Sequence, residues 1–188
     1  NTYNFNNITS AFNEVCRNTK NKRKVAKFKD YRCLYISRIH NILEQRNYIP
    51  GLYNVFTIYE PKERRIVSQN MQDKIINHLV SRQILYPALM PCLIDSNVAC
   101  RKKKGTSEGI RLCLLFHKKC KIKYGTYYIL KCDIKKYFAS IDHDILKKKL
   151  KRKIKDKEAL DIVFKIIDSE EEGLSIGNMT SQVLAVFF

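Results

Sequence analysis

Residues 127–146, YYILKCDIKKYFASIDHDIL, hold an apolar strand pattern that ends in a carboxylate, and this stretch constrains the fold more than any other. Side chains alternate faces along a strand, so Tyr128, Leu130, Cys132 and Ile134 share one side and Ile129, Lys131 and Asp133 the other. The first side reads as core. The second delivers Asp133 to the C-terminal end of the strand, beside a tight turn. A lone Asp after a strand is most often a turn or capping residue. A carboxylate held there also suits a divalent metal, and Phe138, five residues on, offers a ring that can wall off a substrate. Tyr137 is expected to face the other way, into the core.

Composition narrows the partner. The 188 residues are enough to bury a sizeable core, and 45% hydrophobic with 29% charged content describes a folded chain. Lys and Arg number 36 against 18 Asp and Glu, a net charge of +18. Residues 1–100 carry 15 basic and 7 acidic side chains and residues 101–188 carry 21 and 11, so the excess is no tail. A folded chain this basic repels itself unless a polyanion neutralises it, and nucleic acid is the leading candidate. No apolar run reaches the roughly 18 residues of a membrane span, and the expectation is a cytoplasmic protein with no membrane partner. Seven scattered cysteines, without metal-ligand spacing, read as reduced and mostly buried thiols. The start without Met and the apolar end LAVFF read as a fragment.

Helical spacing marks residues 7–17 (Ile8, Phe12, Val15) and 30–47 (Leu34, Ile36, Ile39, Ile42, Leu43). The basic stretch between them reads as a solvated linker or a phosphate contact. After Pro50-Gly51, residues 53–61 and the run KERRIV predict a β-hairpin with Lys62, Glu63 and Arg64 near its tip. A helix over 72–86 buries Ile75, Ile76, Leu79, Val80 and Ile84 and ends near Pro87 and Pro91. A further helix, capped by Thr106 or Ser107, runs to about Lys121. Helices follow over 142–153, where Ile145, Leu146, Leu150 and Ile154 form a buried stripe, and over 157–167. A last helix follows GLSIGN. Helices, a hairpin and one central strand make the expected class α+β.

Four segments, in order, resemble the reverse transcriptases: EPKERRI (60–66), DSNVACRKKKGTSEGI (95–110), KCDIKKYFASIDH (131–143) and GLSIGNMTSQ (173–182). The first two look like fingers motifs and the others like motifs A and B of the palm. The likeness covers roughly residues 30 to 188 and is closest to the bacterial group that includes diversity-generating retroelement enzymes. Its cue is Ile176 before Gly177 and Gln182 after Ser181, where intron and retroviral enzymes typically carry Gln and often Pro. The resemblance implies an N-terminal helical and basic extension of the fingers over 1–50, fingers over 51–126, and a partial palm over 127–188. The family's Y-x-D-D turn does not occur in this sequence.

The family's activity is RNA-directed DNA synthesis: a primer 3′-hydroxyl attacks the α-phosphorus of a dNTP on an RNA template, with two Mg²⁺ ions clamping the oxygens. By resemblance, Asp133 is the catalytic carboxylate and a metal ligand, with the Ile134 carbonyl beside it. Phe138 is the steric gate against the ribose 2′-hydroxyl. Lys62, Arg65 and Arg101 are triphosphate candidates, since lysine gives a point charge and arginine a planar fork. Ile176 and Gly177 border the nucleotide, the glycine allowing close approach. Lys103 and Lys104, with Lys148, Lys151 and Arg152 from the basic run 147–157, are template–primer contacts. Asp142 and Asp144 are read as helix-start residues instead. The partners implied are RNA template, primer duplex and dNTP; an accessory protein is not identified.

Two alternatives stand beside this expectation. One is a group II intron-like or defence-associated enzyme, the other a non-catalytic RNA-binding module on the same scaffold. All of them share a consequence of the charge. Binding to an RNA–DNA hybrid is expected to weaken with added salt, log K falling linearly with log salt concentration. A titration at several ionic strengths checks this, and a flat response removes the electrostatic reading.

Overall fold

The computed structural model describes every residue except 1, 52 and 62, and at 64, 65 and 67 the backbone alone. Helix α1 (Phe5–Asn18) opens on Asn4, whose side-chain oxygen accepts from Asn7 N at 2.8 Å, and it buries Ile8, Phe12 and Val15 as its spacing predicts. The basic stretch that follows is not a linker. It forms α2 (Lys22–Asp30), capped by Asn21 and anchored by buried Val25, while the ring of Phe28 stacks on Tyr35 at 4.0 Å. Lys and Arg are good helix formers, and one anchoring apolar residue suffices to hold such a helix on its neighbours. In α3 (Arg32–Glu44) Ile36, Ile39 and Leu43 are buried, while Leu34 is exposed and leaves the predicted stripe.

Strands β1 (Asn54–Ile58) and β2 (Arg64–Ser68) pair antiparallel, Phe56 opposite Ile66 and Thr57 opposite Arg65, as the hairpin reading expects. Lys62 lies outside the described residues. Helix α4 (Met71–Val80) runs without a break into a π turn (Ser81–Leu85) and α5 (Tyr86–Leu89). Pro87 therefore does not end the helix. Proline removes an amide and crowds the preceding turn. The wider π turn ahead of it takes up the mismatch, with Tyr86 N donating to Ser81 O.

The clearest departure from expectation lies at 127–134. Helix α6 (Thr106–Tyr124) has no buried residue, and residues 127–134 form no helix or strand. Tyr128 is 96% exposed and Leu130 87%, and Cys132 and Ile134 are exposed as well, so this side is not core. A strand needs a ladder partner for its backbone groups, and among the described residues the one ladder is β1–β2. The expected central palm strand is thus absent from 127–134, and the described residues are helix-rich with one hairpin. The thiols follow suit: Cys16 is buried, whereas the other six are exposed or half-buried.

Helices α7 (His143–Lys153), α8 (Lys157–Ile167) and α9 (Met179–Phe187) complete the fold. Asp142 caps α7 through Ile145 N at 2.8 Å, as expected. Leu146, Leu150 and Ile154 are buried, whereas Ile145 is 48% exposed. Steps of four keep 146, 150 and 154 on one line, and residue 145 falls about 100° off it. One core unites α1, α3, α4, α7, α8 and α9.

A buried carboxylate ties the hairpin to this core. Asp73, in the first turn of α4, accepts from Tyr48 Oη (3.0 Å), Gly51 N (2.9 Å) and Asn70 Nδ2 (2.8 Å), while its own amide donates to Asn70 Oδ1 (2.8 Å). Burial first, and the Asp73 charge second, push the Tyr48 hydroxyl far above its ordinary pKa, so it stays a donor. Asn77, one turn on, donates to Asp73 O at 2.9 Å and accepts from Thr180 of α9. Asp73→Ala is expected to cost about 2–4 kcal/mol, because it orphans the buried Tyr48 hydroxyl and removes two further part-buried hydrogen bonds. Urea denaturation read by far-UV circular dichroism measures this.

Candidate functional site

The acid-bearing segment and the GLSIGN loop meet at their backbones. Leu174 N donates to Phe138 O at 2.8 Å, and His143 Nε2 donates to Gly173 O at 2.5 Å. Gly173 has φ +63°, and a Cβ there would lie 2.4 Å from Phe138 O and 2.6 Å from Ala139 Cα. A left-handed backbone and a backbone neighbour that cannot move aside both demand glycine. Phe138 is half-buried against the core, edge-on to Tyr137. Tyr137 is also half-buried rather than enclosed, its hydroxyl donating to Ala185 O at 2.7 Å.

The loop owes its shape to polar groups beneath it. Ser175, Asn178 and Ser181 are buried, with Asn178 Nδ2 donating to Ser175 Oγ and the two serine hydroxyls 3.4 Å apart. With 175 and 178 anchored inward, Ile176 and Gly177 stand at the exposed crest, and Gly177 has φ +112°.

The hairpin divides the space in front of the loop. On one face Phe56 and Ile66, with Lys74, Asn77 and His78 of α4, Lys20 and Gly177, enclose a cavity of about 420 Å³. On the other, Tyr53 and Val55 with Ala139 and the acidic run 169–172 border a cavity of about 500 Å³. Tyr53 Oη donates to Ser169 Oγ at 3.2 Å, fastening the acidic run to the base of the hairpin. Arg65 pairs with Thr57 in the ladder.

The other candidates stand apart from this junction. Asp133 and Ile134 are exposed on the unpaired segment, and the hydrogen bonds that assemble the junction do not involve them. Arg101 Nη1 donates to Ile94 O at 3.0 Å and Lys104 Nζ to Asp95 O at 2.6 Å, so both close their own loop. Lys103 is exposed in that loop with φ +60°. Lys148, Lys151 and Arg152 are exposed on α7, with Lys151 Nζ 5.7 Å from the Phe164 ring centre. Among the described residues no group of three or more His, Cys, Asp or Glu is placed to hold a metal. Mg²⁺ is commonly held by one or two carboxylates together with waters and substrate phosphates, and Asp133 is the carboxylate this segment offers.

Sequence reasoning missed the packing role of Gly173, Lys74 and the Asp73 cluster. The Asn70-x-x-Asp73 spacing is a reciprocal helix-start pattern that would have found the last. Comparison with protein-family models gives no match, and neither does comparison with curated proteins.

Gly173→Ala is expected to destabilise the chain by about 1–2 kcal/mol from the left-handed backbone alone, with a further cost as Phe138–Ala139 is displaced. A thermal melt beside that of Gly125→Ala, where φ is also positive (+68°) but nothing lies within 4 Å of the added carbon, separates the two contributions.

Proposed function

We propose that this chain is the fingers and partial palm of an RNA-directed DNA polymerase of the bacterial reverse-transcriptase type. The observation that carries the reading is the junction of Phe138–Ala139 with Gly173–Leu174, 35 residues apart in sequence, in front of a basic hairpin. The hairpin shares one cavity with Ala139 of this junction and another with the Gly177 crest, and openings of this kind suit an incoming nucleotide and the strand that selects it. In the parent enzyme Mg²⁺ ions, when bound, stabilise the charge of the transferring phosphoryl group. This chain contributes Asp133 to such a site, the Phe138 ring borders the dNTP sugar, and the α7 face tracks template–primer phosphates through shape and charge.

A second reading, a non-catalytic RNA-binding module, draws on the isolation of Asp133 together with the exposed basic face of α7. Primer extension with dNTPs and Mg²⁺ distinguishes the two. The chain alone is expected to give no product, and the full-length parent to give product that Asp133→Asn abolishes with template binding nearly unchanged. A parent without activity supports the binding module. In an active parent, Phe138→Ala is expected to admit ribonucleotides, shifting the dNTP/rNTP ratio of kcat/KM by a factor on the order of 30–150. An unchanged ratio with a much lower Tm makes Phe138 a core residue only.

A further inference from the structure

We propose that residues 129–135 are an interface between two copies of this chain, which pair antiparallel about a two-fold axis at Cys132. The inference goes beyond the polymerase reading and concerns a segment that the fold leaves open. Among the described residues no backbone N–H or C=O of 127–134 is hydrogen-bonded, so a row of donors and acceptors is available to another strand. The side chains are as open as the backbone. Ile129 is 74% exposed and Leu130 87%, and Lys131, Cys132, Asp133 and Ile134 are exposed with them. Lys136, with φ +51°, sets the end of any ladder built on this segment.

Charge selects both the partner and the register. Pairing about Cys132 sets Lys131 of each copy opposite Asp133 of the other, and Leu130 opposite Ile134. Opposite charges facing each other across a ladder stabilise it, and like charges destabilise it. Sliding the strands by two residues either way sets Lys131 opposite Lys131 or Asp133 opposite Asp133. Sliding them by one sets apolar side chains of one copy beside charged ones of the other. Neither Lys131 nor Asp133 is ion-paired within the chain among the described residues. A segment complementary to itself under a two-fold is what an isologous interface requires. A two-stranded ribbon alone is marginal in water and needs a helix to pack on. Helix α6 supplies one: Leu112 and Phe116 border an apolar cavity of about 440 Å³ together with residues 127–130. Pairing engages Asp133, so the paired state and the metal-bound state proposed above exclude each other.

The test is analytical ultracentrifugation of the whole chain over a concentration series, in salt that screens the repulsion between two chains of +18. A monomer–dimer equilibrium is expected. Lys131→Glu and Asp133→Lys are each expected to weaken it about 5–50-fold, since each turns two attractive pairs into repulsive ones. The double variant restores both pairs with reversed sign and is expected to dimerise within about threefold of the unsubstituted chain. Directly opposite residues of an antiparallel pair lie about 4.5–5.5 Å apart at Cα, within reach of a disulfide. Oxidation of the unsubstituted chain by diamide is therefore expected to join Cys132 to Cys132, and peptide mass spectrometry separates this product from those of the other exposed cysteines. The substituted positions are exposed, and circular dichroism checks that each variant is folded. A chain that stays monomeric overturns the inference and leaves the edge to a strand of the parent enzyme. A dimer that the single reversals leave unchanged, that the double reversal does not restore, or whose cross-links avoid Cys132 overturns it in favour of another surface or register.

Discussion

A single buried carboxylate sets the geometry on which the candidate site depends. Asp73 collects a tyrosine hydroxyl, a backbone amide and an asparagine amide in the first turn of α4. It thereby fixes where the chain leaves Tyr48 and Gly51 to enter the hairpin. The link through Asn77 to Thr180 fixes the start of α9, and with it the loop that ends in Asn178. Hairpin and loop are therefore positioned from one point in the core. Their separation, and so the cavity between Phe56 and Gly177, is a property of that polar cluster rather than of contacts across the cavity. Buried polar groups of this kind hold their arrangement because leaving any member unpaired is costly.

The second constraint is the absent side chain at Gly173. The turn at Phe138–Ala139 and the loop before α9 approach through backbone atoms at Gly173 and Leu174. Ser175 and Asn178 supply the inward pull, and Ile176 and Gly177 crest outward as the result. The chemistry of the crest is mostly that of a shaped surface, since an isoleucine and a glycine bring no side-chain hydrogen bond.

Much of the helical framework was legible in the sequence. Residues 8, 12 and 15, the α4 stripe and the 146–150–154 line are all periodic, and their burial follows from that period. The hairpin was legible from β-formers flanking a Pro-containing turn. The segment 127–134 was not. Its alternation is that of a strand, but alternation states which faces a strand would have and not whether a partner is present to pair with it. Helix α2 was missed for the opposite reason: its charge hid a helix that needs only Val25 to anchor it. Of the site residues, Phe138 meets the glycine loop through Gly173 and Leu174, and Ile176 and Gly177 crest the same loop. Asp133 and Arg101 do not join them, since their placement depends on segments that nothing covers or on hydrogen bonds within their own loop. Lys74 carried no signal, as one lysine in a chain with 36 basic residues is indistinguishable until the fold places it at a cavity.

The π turn at Ser81–Leu85 leaves a trace in the spacing of the core. Ile76, Val80, Leu85 and Leu89 are all buried, at steps of four, five and four. An α-helix with one residue added keeps its inward face only if the extra residue is absorbed in a widened turn, and the five-residue step falls where that turn lies. The helix thus behaves as an ordinary one carrying a one-residue insertion. In an alignment of related chains, a single-residue gap between 80 and 85 would mark a register adjustment inside one continuous helix, and not the boundary between two.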